Sequence, residues 1–190
     1  MNMRMPKFSL KKFREDHKGS VSIEFILILP LLGWWYAASF AFFDGFKDYN
    51  VTVKTATVIG DIVSRQIEVD NDFLDGMETI LEYMTNTSDG VWSRVSSVKY
   101  TDVDGYSVEW SHATSSHDLL TTANIYLYDW DELWLPNMAN GETIILVETY
   151  VPYAQAFNVG LGDRTWRNIV VTRPRFTSQI TNTDFTSPGS

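Results

Sequence analysis

The stretch Lys18-Gly19-Ser20-Val21-Ser22-Ile23-Glu24-Phe25 opens directly into an apolar run that lasts to Phe43. Residues 25–43 carry no charged side chain. As helix these 19 residues rise about 28 Å, close to one hydrocarbon thickness. Upstream, Arg4, Lys7, Lys11, Lys12, Arg14 and Lys18 stand against Glu15 and Asp16, a balance of +4 over residues 1–19. The overall charge is -9, so the remaining nine basic and 22 acidic residues sum to -13. A basic flank before an apolar span keeps the N-terminus cytoplasmic, and the acidic remainder follows the span to the other side. The few scattered basic residues beyond the leader argue against nucleic acid as a partner.

Within the run, Pro30 lacks an N–H and clashes with the preceding turn, which predicts a kink. Trp34, Trp35, Tyr36, Phe40, Phe42 and Phe43 crowd the C-terminal half, where aromatic side chains suit a membrane–water interface. Three readings compete: an anchor cut after Gly19 and kept in the membrane, a plain uncleaved signal anchor, and a secretory signal peptide cut near Ser39-Phe40-Ala41. The third fits poorly, because the apolar core is long for a signal peptide and Phe42-Phe43 would open the mature chain. Glu24 needs a reason of its own, since a lone carboxylate is costly wherever it meets hydrocarbon. Left to itself, it sits at the interface among headgroups.

A basic leader ending in Gly19, with Glu24 and Phe25 at the mouth of an apolar helix, resembles the processing site of class IV prepilins. It looks most like the TadE/TadF branch of the tight-adherence, Flp-type pilus system. Ala56 to Arg65 with the acidic linker after it, and Thr172-Arg173-Pro174-Arg175-Phe176, also look like features of TadE/TadF-like proteins, more generally than the N-terminal match. The resemblance implies a minor pilin or pseudopilin without catalysis or cofactor. A prepilin peptidase would cut between Gly19 and Ser20. The new α-amine on Ser20 would then pair with Glu24 of a neighbouring subunit, because an opposite pair in a low-dielectric bundle is penalised far less than a lone charge. The implied partners are the membrane, the peptidase, other pilin or pseudopilin subunits and the pilus assembly machinery. The implied location is a bacterial inner membrane, with the head periplasmic or in an extracellular pilus. The rival is a signal-anchored extracytoplasmic module that binds or scaffolds at the cell envelope.

Beyond the span, Phe46, Tyr49, Val53, Ala56, Ile59, Ile62, Val63 and Ile67 recur at helical steps and predict an amphipathic continuation over 44–67. Gly45, Gly60 and the threonines at 52, 55 and 57 argue against one unbroken rod. A second helix is expected over 72–84, capped by Asn71 or Asp72. The period then changes to two. Residues 91–100 and 106–110 flank Asp102-Val103-Asp104-Gly105, a hairpin signal. Residues 111–118 read as loop, 124–128 as a short strand or helix end, and 143–151 and 166–172 as strands. The sum is an α+β fold: leader 1–19, transmembrane segment 20–43, helical continuation 44–67, head 68–176 with a mainly antiparallel sheet, and a polar, flexible tail 177–190.

Other chemistry finds little footing. There is no cysteine, which excludes disulfides, thiolate nucleophiles and Cys-based metal sites. His17, His112 and His117 form no zinc signature, and no G-x-S-x-G is present. Asp102, Asp104 and Glu109 imitate a calcium loop only in part, and the Asp-Gly reads better as a turn. Trp130 and Trp134, beside acids and Pro136, are either core residues of the head or an interface patch.

Overall fold

The computed structural model describes residues 20–125, 135–155, 157, 160 and 162–185. Its dominant element is one helix, α1 (Ser20–Ser64), of 45 residues. The transmembrane segment and its continuation are thus a single helix as far as Ser64, which runs through Pro30, Gly45 and Gly60, while Ile67 of the expected continuation lies exposed beyond its end. A two-residue strand β1 (Glu68–Val69) leads to helix α2 (Asn71–Thr85). The cap of α2 is Asp70, one residue before the expected position, and its carboxylate accepts from the Phe73 amide at 2.7 Å. At the other end Asn86 takes the left-handed conformation and its N–H closes on the Glu82 carbonyl.

Four strands follow: β2 (Trp92–Thr101), β3 (Gly105–Ala113), β4 (Thr143–Tyr153) and β5 (Arg164–Thr172). They form an antiparallel sheet in the order β3-β2-β4-β5. The hairpin turns at Gly105, whose φ of +72° calls for glycine. Strand β3 runs three residues past the expected end, into the stretch read as loop. Its polar Ser111 is satisfied by pairing, since its Oγ meets Ser96 Oγ at 2.9 Å inside the sheet. A bulge at Glu109 (Ser97 opposes Trp110, Val98 opposes Val108) shifts the alternation, which hides this stretch from a period-two reading. Of 124–128, the part within the described residues belongs to a single helical turn, α3 (Thr122–Ile125).

Helices α1 and α2 cover one face of the sheet. Ile59 and Val63 of α1, Leu74, Met77 and Leu81 of α2, and Val95, Ile145, Val147 and Val151 of the sheet form that core. Val98, Ile144, Leu146, Leu120, Ile125 and Met138 make a second cluster on the opposite face.

The structure corrects two further expectations. Phe46 and Tyr49 do not point into the core; Phe46 is 66% exposed. The residues buried along α1 are instead Ala38, Ala41, Gly45, Thr52, Thr55, Ala56, Ile59, Gly60, Val63 and Ser64. Small side chains let the helix lie close on the sheet: a Cβ on Gly60 would come within 3.0 Å of a Val170 methyl. The buried threonines cost little, because Thr52 and Thr55 donate to the Tyr49 and Val51 carbonyls at 2.8 and 2.9 Å. The second correction is the tail. Residues 177–185 are ordered against the head. Ile180 is fully buried, its carbonyl accepts from Trp110 Nε1 at 2.7 Å, and strand β6 (Thr181–Asn182) pairs in parallel with β1. One isoleucine and a few backbone bonds outweigh the polarity of the segment. Residues 186–190 lie outside the described residues.

Candidate functional site

Glu24 and Phe25 stand on the second turn of α1, both exposed, Phe25 by 63%. Gly19, Trp130 and Trp134, and with them the processing bond and the aromatic patch, lie outside the described residues. Ser20 is within α1. From 22 to 36 every residue of α1 is exposed, including Ile26, Leu27, Leu29, Leu31, Leu32, Trp34 and Trp35. Fifteen residues make about 22 Å of bare helix. So continuous an exposed apolar surface marks a site of contact with a membrane or another protein. By length and composition this helix can cross a membrane, and no other helix among the described residues can.

The head meets the helix at Ala38. Ala37 is half-buried, Ala38 and Ala41 are buried, and the Tyr153 hydroxyl reaches the Ala41 carbonyl at 3.5 Å. Around this junction aromatic rings pack edge to face: Tyr49 on Trp166 with centroids 5.3 Å apart, and Phe40 on Phe157 at 6.3 Å. Arg164 lies over the Trp166 ring at 5.3 Å. Phe42, Gly45, Phe46, Tyr49, Arg164 and Trp166 line a largely apolar groove between α1 and the first residues of β5. Beside it, Asp48, Asp89 and Asp163 face a second cavity with Tyr153 and Arg164. Burial, and then repulsion from Asp44, hold the Asp48 carboxyl above its ordinary pKa, with Lys47 opposing. Burial, followed by Asp44 and Asp48, likewise raises the Tyr153 phenol, against the pull of Arg164.

No family model, curated protein or solved structure matches the chain.

At the far end of α1, the Arg175 amide donates to the Ser64 carbonyl at 2.8 Å, and its guanidinium meets Asp61 at 2.6 Å. Arg65 also pairs with Asp61, at 2.9 Å, and its hydrogen bond is the first cause of the lowered Asp61 pKa. Arg175 thus closes the last turn of the helix, while Arg173 of the same segment pairs with Glu142.

A charged cluster under the opposite face of the sheet went unseen in the sequence. Glu148, fully buried, accepts from Arg94 Nε at 2.6 Å, Arg167 at 3.0 Å and the Tyr150 hydroxyl at 3.2 Å. Trp92 stacks between Tyr150 and His117, with centroids 3.7 and 4.0 Å away. A lone Glu in the most apolar strand was the available signal, since a buried acid demands a cation. Its partners satisfy it, and the cluster reads as internal structure. The other described histidine, His112, meets Asp75 at 2.7 Å. Among the described residues no group of three or more His, Asp or Glu side chains is placed to hold a metal ion.

Proposed function

We propose that the chain is a minor pilin or pseudopilin of the TadE/TadF type, inserted with its N-terminus cytoplasmic and its acidic head outside. It assembles through α1 into or beneath a Flp-type pilus for surface adhesion. One observation carries the reading: α1 leaves the head bare over residues 22–36 with a single carboxylate, Glu24, near its start. A helix whose second half is fixed to a head while its first half offers only apolar surface can anchor in a bilayer and pack beside its own kind. The basic leader and Gly19 add the processing signal. In this reading Ser20 supplies the new amine, Glu24 its partner on the next subunit, and Phe25 the apolar surface beside them.

Intact mass of the membrane-extracted protein tests it, with and without a prepilin peptidase in the same cell. Peptidase-dependent loss of residues 1–19 is the expected result. A full-length mass in both cells would leave the uncleaved signal-anchored module instead. A chain starting at Phe42 would make it a secreted soluble domain.

A further inference from the structure

The apolar run and the head overlap. Residues 25–43 are free of charge, yet the head already covers the helix from Ala38. The bare stretch of about 22 Å is short of a hydrocarbon core of about 30 Å. The six residues 38–43 are needed to complete the uncharged run of about 28 Å, so the head's nearest residues stand at the boundary between hydrocarbon and the headgroup layer. A span of this register carries the nearest part of the head into that layer.

The chemistry of this rim fits such a depth. Tyr49 is 41% exposed and Phe157 51% exposed beside Phe40, and half-buried Trp166 packs on both Tyr49 and Tyr153. Amphipathic rings of this kind gather where hydrocarbon meets water. Arg164 brings a cation to the groove edge. Asp44 follows the last apolar residue, and Asp48 and Asp163 share the neighbouring cavity with Arg164. These carboxylates cannot enter hydrocarbon, so they set a floor to immersion.

We propose that the span-side rim of the head is seated in the headgroup layer of the membrane that α1 crosses. The groove between α1 and β5 takes a phospholipid headgroup, with Arg164 on its phosphate and Phe42, Phe46 and Trp166 against the glycerol and first methylenes. The proposal rests on α1 as a membrane anchor. It adds that the head is held at a fixed height and tilt by lipid contacts.

The absence of cysteine makes the test clean, because a single introduced thiol carries the only label. The full chain, in vesicles of phosphatidylethanolamine and phosphatidylglycerol, receives a nitroxide at Leu29→Cys, Ala154→Cys or Val103→Cys. Leu29 reports the span, Ala154 follows the rim residue Tyr153, and Val103, 90% exposed, lies in the hairpin turn at the far end of the sheet. The expected result is a Leu29 label in hydrocarbon. The Ala154 label should be at least about threefold less accessible to a water-soluble nickel complex than the Val103 label. Arg164→Gln, at an exposed position, then removes about half of the Ala154 protection and leaves Leu29 unchanged. A Leu29 label open to water overturns the anchor itself. A Leu29 label in hydrocarbon with Ala154 as open as Val103 overturns only the seat. An Ala154 label protected to the same extent with and without Arg164→Gln overturns the phosphate contact.

Discussion

The two halves of α1 use the same backbone in opposite ways. Over residues 22–36 the large apolar side chains are exposed and no described residue covers them. In the inner half the buried positions are small or β-branched, and the large rings, Phe46 and Tyr49, stay outside. The difference teaches that residue size along a helix reports its neighbour. On the proposed reading the bulky chains meet lipid or a subunit, whereas the small ones meet a sheet already filled with side chains of its own.

The comparison breaks most sharply at single core residues. Ile59→Ala opens a cavity under α1 and should cost the head about 2–5 kcal/mol, while Leu29→Ala should leave head stability unchanged. Chemical unfolding in mild detergent measures both. If Leu29→Ala were as damaging, the bare half would be packed against the head after all.

Glycines sharpen it next. Gly60→Leu must displace Val170 and should cost about 1–3 kcal/mol, whereas Gly33 has nothing within 4 Å and Gly33→Leu should not destabilise the head. Thermal melts of the pair decide. A smaller effect is expected at Thr55→Val, about 1 kcal/mol or less, because the hydroxyl bonds only its own helix.

The smallest effect is electrostatic. The folded state holds the Asp48 proton more tightly than the unfolded chain does, because the folded pKa is raised. Ionising Asp48 therefore costs stability above its folded pKa, and the cost is absent below the ordinary carboxylate range. Asp48→Asn should raise the melting temperature slightly at about pH 7 and leave it unchanged at about pH 3. The opposite sign at neutral pH would mean that Asp48 is held by a cation rather than disfavoured by burial and by Asp44.

Where one local signal acted alone, the sequence was readable. The Asp-Gly turn, the cap of α2 and the apolar run of β4 appear within two residues of expectation. What was hidden depended on partners distant in the chain. Thr52 and Thr55 look like poor helix residues until the sheet that needs small neighbours is present. Phe46 and Tyr49 mimic a core stripe because periodicity does not say which part of an apolar face a neighbour covers. Ser111 and Glu148 look solvent-facing until Ser96 and the two arginines arrive across the strands. The acid at Glu24 and the bare span were legible from the outset, since no tertiary contact among the described residues modifies them.

The parallel pairing of Glu68 with Thr181 and of Val69 with Asn182 also has a kinetic side. A ribosome delivers the N-terminal helix first, but the clasp over its far end needs residues more than 110 positions later. Until those residues have emerged, Ile180 cannot fill its place beside Trp110. Contacts of such long range form late and slow a fold's completion. On the proposed reading, membrane insertion of α1 is thus free to precede closure of the head, so the anchor would be in place before the cargo it carries has hardened.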